Sequence, residues 1–177
     1  MVDIRQRQAP LRERYRSEPD SAIQRLEVHS LGADLADPLH CEVGPTRFPG
    51  VVWRSGAHAA VGGDGDVPCS GDLLLGALAA CQEITLRMVA ANMGIEIREL
   101  TVEVDADWDS RGTLAMGREF PVGIRSIRCH TQVTIDDDAN GERAERLLRS
   151  AERYCVVLDT LRTGVEVDAS IAVRSAA

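Results

Sequence analysis

One long apolar segment near the middle of the chain constrains the fold more than any other feature. From Leu73 to Met93 the sequence contains no proline, and its first half would be apolar on nearly every side of a helix. Ser70 is a good N-cap, Asp72 complements the helix dipole in the first turn, and Gly94 can end the helix. A helix that is apolar all round is surrounded by protein. We therefore expect a central buried helix, and an obligate homodimer with a hydrophobic interface, because a chain of 177 residues has too little else to cover it.

The segments on either side of this helix predict antiparallel sheet. Residues 124–135 alternate between one apolar face and one polar face, which is typical of a half-buried antiparallel strand. The other predicted strands lie at 22–31, 39–43, 97–108 and 165–173. Further helices are predicted at 5–16, 142–154 and 155–162. We expect an α+β fold with antiparallel sheets packed on the central helix, as one domain over residues 22–177 after an N-terminal helical extension over residues 1–21.

Charge and composition argue against several classes of function. The formal net charge is −8 without a lysine-rich run, and only 3% of the residues are aromatic, so we expect no nucleic-acid partner. The longest apolar run, Leu73 to Cys81, is too short to span a bilayer, so we expect no membrane association. The arginines near the N-terminus lack the apolar block of a secretory signal. These features favour a cytoplasmic protein.

Five cysteines are the first candidates for chemistry. In a reducing compartment they are more often free thiols than a disulfide framework. No cysteine pair and no Cys/His cluster has the spacing of metal ligands, so we expect no metal site. We interpret Cys41, Cys69 and Cys129 as small packing residues, the usual role of a lone buried cysteine.

Cys81 and Cys155 differ from these three in their surroundings. Cys81 lies inside the apolar helix, where burial raises the pKa of a thiol, so it can react only if a cation or a hydrogen-bond donor reaches it. Cys155 lies at the junction of the last two predicted helices, where free backbone N–H groups would favour a thiolate. The spacing of the two cysteines does not show whether they meet.

The sequence around both cysteines resembles the OsmC/Ohr family. Residues 70–81 carry an acidic residue, a leucine pair and small residues that lead to Cys81, as in the central-helix motif of that family. Residues 152–162 resemble its second-cysteine motif, with Val156 where proline is common, and the glycine-rich residues 56–65 are similar to one branch. The resemblance covers roughly residues 22–174 and implies an intertwined homodimer with active sites at the subunit interface.

The resemblance also implies a two-cysteine peroxidase that uses no metal, haem or flavin cofactor. Cys81 would attack an organic hydroperoxide and become a sulfenic acid, and Cys155 would condense with it to form a disulfide. A small thiol or a lipoyl-type reductant would then restore the dithiol. The alternative is a non-catalytic binding or redox-sensing dimer that has the same fold.

The sequence departs from the family pattern at the residues that would activate the reactive thiol. In the best-studied branch, an acidic residue directly after a proline and an arginine from an earlier strand polarise that thiol. Here a glycine holds the position of the acid and Asp72 follows it, a rotation of about 100° on a helix, so Asp72 is either an activator or only a cap. Arg54 and Arg47 are alternatives for the arginine. His58 would either donate to a substrate oxygen or structure its loop.

Overall fold

The computed structural model describes residues 2–136 and 141–173; residues 137–140 and 174–177 of the predicted domain lie outside it. Its helices are α1 (Ile4–Ser17), α2 (Ser70–Met93), α3 (Ser110–Thr113), α4 (Gly141–Tyr154) and α5 (Val156–Thr163). Its strands are β1 (Val28–Ser30), β2 (His40–Pro45), β3 (Trp53–Gly56), β4 (Ile97–Trp108) and β5 (Ile124–Ile135). Two single turns of 3₁₀ helix lie at Pro19–Ala22 and Ala59–Val61.

The strands form two antiparallel sheets, which confirms the predicted α+β class. One sheet has the order β1-β2-β3, and the other is the long pair β4-β5, in which Val104 lies opposite Cys129. The alternation predicted for residues 124–135 is present in β5, where Ile127, Cys129, Thr131 and Val133 are half-buried and Arg128, His130 and Gln132 between them are exposed. One face of this sheet therefore packs against the helices.

The boundaries of α2 follow from the residues at its two ends. The N-cap is Cys69 rather than the predicted Ser70, because the backbone N–H of Cys69 donates to the Asp72 carboxylate at 2.8 Å and so completes a capping box one residue earlier. At the other end Gly94 adopts a left-handed conformation with φ 66°, as predicted. Asp72 thus serves as a cap.

The core lies where α2 meets α4. Leu86 and Ala90 on α2 pack with Leu147 and Ala151 on α4, one helical turn apart, and Ile95 closes the cluster. A single chain covers α2 only in part, because Leu74, Ile84 and Met88 remain exposed, and its burial on all sides stays a prediction that requires the partner chain. By length and composition alone α2 could also cross a membrane, a test that the core helices of soluble proteins pass as well.

Two predicted strands differ in the structure. The strand predicted at 22–31 is reduced to β1, the three residues that pair with β2. Residues 165–173 form no strand, and Val167 and Ile171 are 77% and 97% exposed. A strand needs a hydrogen-bonded neighbour, and within the described chain these residues find none.

α1 docks against the end of α2. The Arg5 guanidinium donates to the backbone carbonyl of Asn92 at 2.7 Å, and the Asn92 side chain donates to the Gln8 side chain at 3.2 Å. Arg143, at the start of α4, donates to the carbonyl of Met93 at 2.9 Å. Cations at the C-terminus of a helix interact favourably with its dipole, so both contacts also stabilise α2.

Candidate active site

The structure brings Cys81 and Cys155 together. Cys81 lies on α2 and is half-buried, whereas Cys155 is fully buried and occupies the break between α4 and α5 as the N-cap of α5. The two thiols lie close enough for each to shift the pKa of the other. Because α4 ends just before Cys155 and α5 begins just after it, the first turn of α5 faces α2 at the level of Cys81.

Hydrogen-bond donors from three sources surround the Cys81 sulfur. Burial alone would raise the pKa of this thiol, but the backbone N–H of Val157, the Cys155 thiol, the Thr85 hydroxyl and the backbone N–H of Val156 act against burial and leave its pKa lowered. Each donor interacts more strongly with a thiolate than with a thiol, so together they favour the ionised form. Cys81 therefore has the electronic character of a nucleophile.

The pKa of Cys155 shifts in the opposite direction. Burial, together with the hydrogen bond and the charge of the neighbouring Cys81, raises the pKa of Cys155 to about 11. Cys155 therefore stays protonated at neutral pH and donates to Cys81. The two thiols are chemically unequal, because the pKa of Cys81 is lowered and that of Cys155 is raised.

The other three cysteines have different environments. Cys129 on β5 is half-buried, burial raises the pKa of its thiol, and it lies close enough to Cys155 to influence that residue electrostatically. Cys69 is the N-cap of α2. Cys41 on β2 is exposed, so the interpretation of Cys41 as a buried packing residue is wrong.

A cavity of about 660 Å³ lies between α2, α4, β5 and α5. Its walls are mainly leucine and isoleucine side chains, with Cys129 and Arg162 among the polar groups. Gln82, which follows Cys81 on α2, lines this cavity; it is buried, and its side-chain oxygen has no hydrogen-bond partner among the described residues. An acceptor without a hydrogen-bond partner among the described residues therefore lines this cavity.

The predicted activating residues have other partners within the chain. Arg54 pairs with Glu42 at 3.0 Å across β2 and β3, and the alternative, Arg47, lies over the Phe48 ring. His58 accepts from the backbone N–H of Ala60 at 3.0 Å and packs edge-on against Trp108. None of these is among the donors that surround the Cys81 sulfur in the described chain.

Asp72 is also separated from the reactive thiol. It caps α2 nine positions before Cys81, which is about 13 Å along the helix axis. Its carboxylate accepts a hydrogen bond from the Cys69 N–H. Of the two roles predicted for Asp72, activator or cap, it therefore has the second within one chain.

The donors that do reach Cys81 were not predicted from the sequence. Thr85 follows Cys81 by four positions, a spacing that places the two side chains next to each other on a helix and could have identified it. The N–H groups of Val156 and Val157 carry no side-chain signal at all. Their role depends on where α5 begins relative to α2, which is a property of the tertiary structure.

Comparisons with known proteins place this geometry in context. The sequence profile of a family described as OsmC-like protein matches residues 63–170, a stretch that contains both Cys81 and Cys155. An OsmC-like protein from Mycoplasma pneumoniae is similar in structure, with a TM-score of 0.60 at 15% identity over 80% of this chain and 89% of that one. No curated protein matches the sequence.

Two further similar structures have names that refer to hydroperoxides. An organic hydroperoxide resistance protein OsmC from Legionella pneumophila superposes with a TM-score of 0.57 at 19% identity, over 80% of this chain and 91% of that one. An organic hydroperoxide resistance protein from Elizabethkingia anophelis gives 0.55 at 17% identity, over 82% and 93%. At these identities the likeness establishes a shared fold.

Proposed function

This chain belongs to the OsmC-like protein family, and from that premise we propose that it is a thiol peroxidase that reduces organic hydroperoxides through Cys81 and Cys155. The observation that carries the proposal is the contact between two unequal thiols, of which Cys81 has a lowered pKa and Cys155 a raised one. The names of the Legionella and Elizabethkingia proteins support hydroperoxides as the substrate class. The reducing conditions of the cytoplasm, where we place the protein, would keep these thiols free.

In the first step, the Cys81 thiolate attacks the distal oxygen of the hydroperoxide. A sulfur–oxygen bond forms, the O–O bond breaks, and its electron pair leaves with the proximal oxygen, which takes a proton and departs as the alcohol. Cys81 is oxidised to a sulfenic acid. The donors that stabilise the thiolate are the backbone N–H groups at the start of α5 and the Thr85 hydroxyl.

In the second step, Cys155 attacks the sulfur of the sulfenic acid. Its thiol loses a proton, a sulfur–sulfur bond forms, and the hydroxyl group of the sulfenic acid leaves as water. The charge of the Cys81 thiolate is one of the causes that raise the pKa of Cys155, and this charge disappears once Cys81 is oxidised. Cys155 therefore becomes easier to ionise after the first step. An external thiol or lipoyl-type dithiol reduces the Cys81–Cys155 disulfide and completes the cycle.

We also propose that the working form is a homodimer. The chain exposes 13760 Å², whereas a compact monomer of 19.2 kDa would expose roughly 8,400 Å². Much of the excess is apolar and lies in residues 23–53, on α2 and in residues 165–173. In such a dimer Arg54 or Arg47 and His58 would approach Cys81 from the partner chain, because none of them is among the donors to Cys81 within its own chain.

Thiol titration tests the mechanism. One equivalent of cumene hydroperoxide should remove two of the five thiols rapidly from the wild-type protein. Cys81→Ser should lose none, and Cys155→Ser should react once and leave a sulfenic acid at Cys81 that a dimedone probe labels. Cys41→Ser, which removes an exposed thiol away from the pair, is the matched control and should behave as wild type. A wild-type protein that loses no thiol selectively is a non-catalytic binding protein instead.

A further inference from the structure

A groove between α1, α2 and α4 carries positive charge beside the thiol pair. Its volume is about 1040 Å³. Its charged lining residues are four arginines and one glutamate, namely Arg5, Arg12, Arg16, Arg146 and Glu13. The local excess of positive charge is opposite in sign to the formal net charge of −8 on the whole chain. Such a concentration of one sign in a concave site attracts ligands of the other sign.

Most of this charge is not neutralised by the protein. Within residues 2–136 and 141–173, Arg16 alone of the four forms a salt bridge, with Glu13 at 3.1 Å, and both side chains are exposed. Arg5 donates to a backbone carbonyl, and Arg12 donates to the neutral Gln8 side chain at 2.9 Å. Arg146 makes no salt bridge to any residue in the described ranges, 2–136 and 141–173. The groove thus presents guanidinium groups that have no carboxylate partner in the part of the chain that the structure describes.

The floor of the groove leads to Cys81. Cys81, Thr85, Met88 and Asn92 are spaced by four, three and four positions, so they lie on one stripe of α2. The last three line the groove, and the Thr85 hydroxyl is a hydrogen-bond donor to the Cys81 sulfur. From Asn92 to Cys81 the stripe is about 16 Å long. At its other wall the groove is lined by Tyr154, which directly precedes Cys155.

We propose that this groove binds the carboxylate group of a reactant and guides its other end to the Cys81–Cys155 pair. The inference rests on the proposed peroxidase function, because it names a reactant of that same site. Arginine binds carboxylates through paired, charge-assisted hydrogen bonds, and the groove has the size of a small-molecule site. The carboxylate belongs either to the hydroperoxide or to the dithiol that reduces the disulfide.

α1 supplies most of the positive charge of the groove. Three of the four arginines, Arg5, Arg12 and Arg16, lie on α1, whereas the family profile matches only residues 63–170. α1 is held in place by the contacts of Arg5 and Gln8 with Asn92. The N-terminal helix therefore acts as one wall of a binding site and sets the charge preference of the protein.

Binding can be measured without turnover in the Cys81→Ser protein. Isothermal titration calorimetry with linoleate and with lipoate should detect binding of at least one, and high salt should weaken it. The groove variant Arg12→Gln/Arg146→Gln should bind more weakly, with a Kd raised roughly tenfold or more. Arg7→Gln/Arg14→Gln is the control, because it makes the same change of charge at residues that do not line the groove. Binding of neither probe, or equal losses in both variants, would overturn the proposal.

Kinetics with matched reactants identify whether the hydroperoxide or the dithiol reductant carries the carboxylate that the groove binds. One pair is the hydroperoxide of linoleic acid and its methyl ester, and the other is dihydrolipoate and dihydrolipoamide. In the groove variant, the kcat/KM for the charged member of one pair should fall roughly tenfold relative to its neutral partner, with no such change in the control. An unchanged ratio in both pairs would contradict the proposal. A protein that does not consume even neutral cumene hydroperoxide would instead refute the peroxidase function. The calorimetry would still test whether the groove binds a carboxylate.

Discussion

At the scale of single residues, the reactivity of Cys81 is a balance between desolvation and hydrogen bonding. Burial opposes the thiolate, and a lone cysteine in an apolar helix would be inert. Thr85 supplies a donor from the same helix, whereas Cys155, Val156 and Val157 supply donors from the α4–α5 junction. The lowered pKa of Cys81 therefore depends on groups that are far apart in sequence, and the removal of any one of them should be measurable.

Thr85→Val removes one donor while it preserves the shape of the side chain. We expect the pKa of Cys81 to rise, because the thiolate loses a hydrogen bond that the thiol does not need. The pH dependence of the rate of alkylation by iodoacetamide, measured in the Cys155→Ser background, should show its midpoint shifted upward. Thr85→Ser keeps the hydroxyl and should leave the midpoint near its original value. An unchanged midpoint in Thr85→Val would mean that the Thr85 hydroxyl does not act on the sulfur.

At the scale of secondary-structure elements, the start of α5 is the critical boundary. Cys155 has extended backbone angles, φ −77° and ψ 101°, and its carbonyl accepts the first helical hydrogen bond from the N–H of Asp159 at 3.0 Å. This places the free N–H groups of the first turn against α2. The boundary thus positions both the resolving thiol and two of the backbone donors.

Val156→Pro separates the two roles of this boundary. Proline is well tolerated at the first position of a helix, and the extended conformation of Cys155 suits a following proline, so the free energy of unfolding should change little. The substitution nevertheless removes the N–H that Val156 offers to Cys81. We expect the alkylation midpoint of Cys81 to rise while the Tm stays within a few degrees of wild type. A large fall in Tm would show that proline does not fit this turn.

A second element-scale contact ties β2 to the glycine-rich loop. His40 lies between two carboxylates, with Nδ1 at 2.7 Å from Asp37 and Nε2 at 3.0 Å from Asp66. The hydrogen bonds to Asp66 and Asp37 raise the pKa of His40 to about 9 and lower the pKa of both carboxyl groups. The doubly bridged imidazolium should therefore fasten the loop to the sheet at neutral pH.

The pH dependence of stability follows from these shifts. The contribution of His40 is complete below its unfolded pKa of about 6.5 and is lost as the pH rises through about 9, whereas that of the aspartates is lost as the pH falls below their ordinary range. We expect the Tm of the wild type to fall between pH 6.5 and pH 9.5. The Tm of His40→Gln should fall less over the same interval, as measured by thermal unfolding. Parallel curves for the two proteins would contradict this role of His40.

At the scale of the whole molecule, the sequence was most informative where local patterns decide the structure. The ends of α2 depend on Asp72 and Gly94, and the alternation of β5 records which face is buried, so both could be read from residue types. The motif around Cys81 likewise identified the family. Residues 165–173 could not be placed, because alternation predicts an extended segment but not the neighbour that makes it a strand. For the same reason, the positions of Arg54 and His58 relative to Cys81 depend on contacts that no local pattern encodes.

Assembly is the prediction that belongs to this scale. Light scattering and analytical ultracentrifugation should find a dimer at low micromolar concentration, since the exposed apolar surface of a single chain is too large for a stable monomer. Removal of residues 165–177 should weaken the dimer, because it deletes exposed apolar side chains such as Val167 and Ile171. A folded monomer at low micromolar concentration would contradict the proposed assembly.

The break between α4 and α5 also links the chemistry of the protein to its shape. Cys155 begins a helix with its backbone while its buried sulfur, in the proposed cycle, bonds to Cys81. Any movement of that sulfur is transmitted to the first turn of α5 and to the exposed neighbours Tyr154 and Val156. The outer surface at this point then differs between the reduced and the oxidised protein. A second macromolecule that recognised only one of these surfaces would register the presence of peroxide without ever encountering it.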